Sequence, residues 1–202
     1  MAELPSRAPW EDVAMAAARA IRADGIANLD LDELATRLKV APEAVAYWFN
    51  DETDVLLSIM QIRQRWFLDQ TDARLAPLDS YTEKLGALID LCVADHDVAY
   101  WIELWKLGLR DARARQARQT LRGAYRDLFA RLIRAGQRTG EFPATVSAEQ
   151  VALVLVALVV GLSVEATVGD AAKADRMHAV LCGATERLLE IELSGGDSGP
   201  PA

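Results

Sequence analysis

The run VALVLVALVVGLSV at residues 151–164 is the feature that most restricts how this chain can fold. It is fourteen residues long, apolar on every side, and bracketed by Glu149 and Glu165. A bilayer needs about 20 such residues, so the run is too short to span one, and no membrane partner is expected. A helix apolar all round must instead be covered on two sides at once. One side can face the chain's own core; the other calls for a second copy of the chain. A homodimer is therefore expected, with Val154, Ala157, Leu158 and Gly161 from this run at the contact. Ala157 and Gly161 permit close approach, and His178 and Leu181 on the following helix are placed at the same interface.

The rest of the 202 residues read as helix. No stretch alternates convincingly with period two, and apolar residues recur at spacings of three and four almost throughout. About nine helices are expected. The first runs from about Pro9 to Asp24 and stops at Gly25. The second is capped by Asp30, and the third starts at Pro42. A long fourth helix follows Asn50 or Asp51 and is stopped by Pro77. The others cover roughly residues 80–95, 97–109, 112–138, 147–168 and 171–193, with Ser147 and Gln150 forming a capping box. The tail SGGDSGPPA is expected to be disordered. The fold class is all-α: a three-helix head at residues 1–50, a larger helical body at 51–193, and a tail at 194–202. Cys92 and Cys182 match no metal spacing and no disulfide framework, and MAELPSRAPWED lacks a basic stretch before an apolar run. The expectation is a cytoplasmic protein with no metal and no cofactor.

Within the head, LDELATRL followed by KVAPEAVAYWFNDETD outlines two short helices around a tight turn. Gly25, Leu34-Ala35, Val40, Val45, Phe49 and Val55 occupy the structural positions of a known pattern. The body segments YWIELWKLGLRD, LIRAGQRTGEF and LVALVVGL agree in order and spacing. From about residue 10 to residue 192 the chain resembles the tetracycline-repressor (TetR) family. That resemblance implies a helix-turn-helix that binds duplex DNA, with Arg37, Lys39, Ala41, Pro42, Glu43, Tyr47 and Trp48 as the contact set. It also implies a body that binds a ligand and dimerises. Several family positions differ here. The turn glycine is Lys39, the serine opening the recognition helix is Ala41, the tyrosine is Ala46, the histidine is Trp48, and the lysine of the fourth helix is Glu52. Residues 1–55 carry five basic and eleven acidic side chains, a handicap where affinity rests on neutralising phosphates. An alternative follows, in which the head has lost DNA binding and the protein acts through its body as a small-molecule binding protein or enzyme.

In the body, Trp101 and Trp105 lie one turn apart, with Tyr100 and Glu103 on an adjacent stripe. Trp66, Tyr125 and His96 complete the expected lining of a pocket for a small hydrophobic or aromatic ligand. Asp95-His96-Asp97 resembles capping at a helix junction more than a general base. No nucleophile motif, phosphate loop or metal-ligand spacing accompanies it, so no catalytic residue is assigned. Nine arginines between residues 110 and 138, against Asp111 and Asp127, read as a solvated face, or else as an anion site or a docking face for the acidic head.

Overall fold

The computed structural model describes residues 9–94, 99–168 and 173–193. Among these there are nine α-helices and no strand. They are α1 (Pro9–Asp24), α2 (Leu31–Leu38), α3 (Pro42–Trp48), α4 (Glu52–Leu75), α5 (Tyr81–Ala94), α6 (Ala99–Gly108), α7 (Ala112–Thr139), α8 (Ala148–Val168) and α9 (Lys173–Leu189). A short 3-10 turn, Ile26–Asn28, links α1 to α2. The expected tail, His96, and the first residues of the expected sixth and ninth helices lie outside the described residues. The ninth helix also ends earlier than expected, at Leu189 rather than residue 193. Glu190 adopts a left-handed φ of 54°, and the Ile191 amide bonds back to the Glu186 carbonyl, which closes the helix.

The described residues form two compact units. The first comprises residues 9–68 and 99–120, the second 69–94 and 121–193. The division differs from a cut at residue 50, because α6 and the first turns of α7 cluster with the head, and α4 and α7 each contribute to both units.

The first unit is built on an α1 that presents Val13, Ala14, Ala17 and Ile21 to its core. Small side chains let α2 and α3 pack closely: Ala35 is fully buried, and its carbonyl accepts from the Val40 amide at 3.0 Å. Val45, Phe49, Val55 and Leu56 complete this core. Tyr100 of α6 donates its hydroxyl to the Ala18 carbonyl at 3.1 Å, which ties α6 onto α1.

In the second unit α5, α8 and α9 pack on one another around Leu85, Leu88, Ile89, Leu155, Met177 and Leu181. Its tightest corner follows α7. Gly136 touches the Phe142 ring, Gly140 takes a φ of 82°, and Gln137 Nε2 donates to the carbonyls of Pro143 and Val146. The Glu141 carboxylate beyond that turn accepts from the Ser80 hydroxyl, the Thr82 amide and the Thr139 hydroxyl. A residue from the α7–α8 turn thus caps α5. Burial pushes the Glu141 carboxyl up, but these hydrogen bonds, with the Tyr81 amide, outweigh it and hold the group below its ordinary value. Such a depressed carboxyl stabilises the fold above about pH 4.5. That stability drains away as pH falls through the lower folded value. Glu141→Gln is expected to melt at a lower temperature near neutrality and to lose less on acidification to about pH 3, as thermal denaturation across pH would reveal.

Candidate nucleic-acid interface and ligand-binding body

The head folds locally because each helix end carries its own signal. Asp30 Oδ1 accepts from the amides of Asp32 and Glu33 at 2.9 and 3.0 Å, starting α2. Lys39 then closes α2 in the left-handed region, φ 57° and ψ 36°. This is the conformation for which glycine is suited, at the position where the family pattern carries glycine. Pro42 sits in the first turn of α3, where its missing N–H costs nothing.

The expected contact residues are placed differently from one another. Lys39, Ala41, Pro42, Glu43 and Tyr47 are all exposed, Tyr47 to 85%. Lys39 has no carboxylate partner among the described residues. Arg37 is engaged: its Nη2 meets Glu33 Oε1 at 2.6 Å, one helical turn back, with both groups open to solvent. Such a pair is weak and can yield to a phosphate, at the expense of leaving Glu33 alone. Trp48 is half-buried.

Electrostatically the first unit differs from its N-terminal segment. Arg63 and Arg65 on α4 and Lys106, Arg110, Arg113, Arg115 and Arg118 on α6 and α7 all fall within it. Its described residues then carry eleven basic and twelve acidic side chains, so the deficit of the first 55 residues is almost cancelled. Arg113 acts directly on the acidic corner. It donates to Asp51 at 2.6 Å, Asp54 at 2.8 Å and Asp111 at 3.1 Å. Of the readings of the α7 arginines, Arg113 thus takes the docking one. Composition raised that possibility, but nothing in the sequence singled out Arg113. Burial pushes the Asp51 carboxyl up, yet Arg113 and the Asp54 amide leave it below the usual range. Arg113 and the α7 amides lower Asp111 in the same way.

The expected ligand residues are dispersed over both units. In the first, Tyr100 is buried and bonded to α1. Glu103 is buried too, with Lys106 Nζ at 2.8 Å and Gly25 close by. Trp101 is half-buried, and Trp105 and Trp66 are exposed, Trp66 to 54%. In the second, Tyr125 is half-buried.

The second unit has a cleft of about 480 Å³ that the sequence did not suggest. Ala73, Pro77, Leu78 and Ala87 contribute apolar lining; Asp90, His178, Cys182 and Glu186 offer polar groups. His178 Nε2 lies 2.9 Å from Asp90 Oδ1 and 3.6 Å from Cys182 Sγ. Burial raises the thiol's pKa, and the charges of Asp90 and Glu186 raise it further, so Cys182 stays protonated at neutral pH. That disposition works against a nucleophilic role.

On α8, Leu153, Val154, Ala157 and Gly161 are exposed, and Leu158 is half-buried. Val180 on α9 is exposed as well. Leu181, expected at the interface, is instead fully buried in its own unit, because it points toward the core that α9 shares with α5 and α8. His178 is turned to α5 by Asp90.

Comparison with known proteins agrees with this architecture. The family model described as "BetI-type transcriptional repressor, C-terminal" matches residues 77–190, more than half of the chain. No curated protein matches the sequence. Among solved structures, a transcriptional regulator from Saccharomonospora viridis in complex with choline is 22% identical with a TM-score of 0.79, covering 89% of this chain and 96% of that one. A TetR transcription regulator from Haloarcula marismortui is 18% identical with a TM-score of 0.80, covering 89% and 97%. FadR from Bacillus subtilis, in complex with stearoyl-CoA, is 16% identical with a TM-score of 0.69, covering 89% and 97%. The chain belongs to the TetR-like transcriptional regulators, with a body of the BetI type.

Proposed function

We propose that this protein binds duplex DNA as a homodimer in the cytoplasm and that a small hydrophobic or aromatic ligand in its body controls that binding. The observation that carries the DNA reading is Lys39. A left-handed conformation costs an L-residue roughly 1–2 kcal/mol that glycine avoids. Here the chain accepts it and sets an exposed ammonium, unpaired among the described residues, at the turn before the recognition helix. Tyr47 is exposed on α3, and Arg113 offsets part of the charge of Asp51 and Asp54 near the start of α4, which lowers the repulsion an approaching phosphate meets. Arg37 supports it by exchanging Glu33 for phosphate, and Ala41, Pro42, Glu43 and Trp48 stand at or beside the base edges.

The dimer reading rests on the apolar surface of Leu153, Val154, Ala157 and Gly161, continued by Val180 of α9. For the ligand, the solved relatives hold molecules as unlike as choline and stearoyl-CoA. Specificity must therefore come from each body's own side chains, and the tryptophan-rich α6 favours an aromatic or lipophilic molecule here.

The deciding variant is Lys39→Gly. It is expected to keep or raise the melting temperature, with a gain of up to about 1 kcal/mol. DNA affinity should fall several-fold, and the dependence of log K on log salt should shrink by about one per head. Measured together on duplexes tiling the region upstream of its own coding sequence, stability and binding then move in opposite directions. Unchanged affinity and salt slope would remove Lys39 from the interface; absence of binding by the unaltered protein at low salt would remove the DNA function.

A further inference from the structure

We propose that Arg113 is a positioning residue that locks the start of α4, and with it the recognition helix α3, to the α6–α7 corner. The geometry stands by itself, while its consequence rests on the DNA reading above. Only Phe49, Asn50 and Asp51 separate α3 from α4, and Phe49 is buried. Whatever fixes Asp51 and Asp54 therefore fixes the exit of α3.

The three carboxylates around Arg113 share a division of labour. Asp51 accepts the Asp54 amide on Oδ1 and Arg113 on Oδ2. Asp54 accepts the Asn50 amide and side chain on Oδ2 and Arg113 on Oδ1. Asp111 accepts the amides of Arg113 and Ala114 on Oδ1 and the Arg113 guanidinium on Oδ2. Each acid ties down backbone at or just before a helix start with one oxygen and gives the other to the same guanidinium, so Arg113 binds the start of α4 to the start of α7. The corner it binds to is stiff. Arg115 Nε donates to the Gly108 carbonyl at 3.0 Å, the Asp111 amide returns to Leu107, and α6 is anchored to α1 by Tyr100.

A single exposed ion pair contributes little, but this arrangement is asymmetric. Without the guanidinium, three carboxylates face one another and the interaction changes sign from attraction to repulsion. Lysine cannot substitute, because one ammonium lacks the planar fork that addresses Asp51 and Asp54 through separate nitrogens.

The test pairs a DNA-independent readout with a DNA-dependent one, in the full-length protein. In Arg113→Ala, amide hydrogen exchange over residues 54–57 is expected to quicken by about tenfold while α1 is unaffected. Affinity for the upstream duplexes should drop by about tenfold. Asp54→Asn alone should weaken binding slightly, yet in the Arg113→Ala background it should recover part of the loss by removing one repelling charge. A merely structural contact does not give that reversal of sign. Arg113→Lys, which retains one cation, serves if the alanine variant fails to fold, and is expected to quicken the same amides. Unchanged exchange at α4 overturns the proposal, and so does quickened exchange with undiminished affinity. If the unaltered protein binds none of the duplexes, the DNA reading fails, and exchange alone decides whether Arg113 locks α4.

Discussion

Val154→Arg is expected to turn the proposed dimer into a monomer in the micromolar range, as sedimentation velocity would show. Val154 is 42% exposed in the single chain, on an α8 whose exposed side is almost wholly apolar. In a two-fold interface the substitution brings in one guanidinium from each copy, and neither finds a carboxylate on the neighbouring Leu153, Ala157, Leu158 or Gly161. Leaving a buried charge uncompensated costs about 3–5 kcal/mol, a loss of at least 100-fold in dimer affinity. The monomer should remain helical, because the cores of both units lie elsewhere. The proposed DNA binding should fall in parallel, since a single head forfeits its second half-site. A Val154→Arg protein that remains dimeric would place the interface on another surface.

Gly136→Val is expected to lower the stability of the second unit by about 3 kcal/mol. A Cβ at Gly136 would lie 2.3 Å from Cδ2 of Phe142 and 2.4 Å from Cε2, and Phe142 is itself buried. The ring cannot swing away freely, since the Phe142 and Glu141 amides both bond to the Gly136 carbonyl. At about 2–4 °C per kcal/mol for a chain of this size, the melting temperature should drop by about 6–12 °C. Shrinking the ring tests the cause: Gly136→Val combined with Phe142→Ala should cost less than the two single losses added together. Additive losses would mean that contact with Phe142 is not what requires glycine.

How much of this was legible in the chain depends on the range of the interaction involved. Helix starts and stops were readable because their signals are local. Asp30, Pro42, Ser147 and Gly25 act on backbone within a few residues, and each does so in the structure. The early end of α9 was missed because Glu190, not a glycine, takes the left-handed turn, and composition gives no sign of that. Leu181 and Leu158 looked alike as apolar helical positions. Which of them faces the unit's own core depends on where α5 lies, and helical periodicity carries no information about neighbours.

The sequence by itself determined the helical class, the turn geometry of the head and the apolar run on α8, because periodicity and capping are short-range properties of consecutive residues. It also carried the family pattern, since the residues that hold the head together are spaced along the chain. Charge balance at the head was decided elsewhere. Read along the chain, the first 55 residues are strongly acidic; in the fold, Arg113, about sixty residues away, closes on Asp51 and Asp54. Electrostatic energy depends on distance through space and not on separation in sequence, so only the tertiary structure could set its sign.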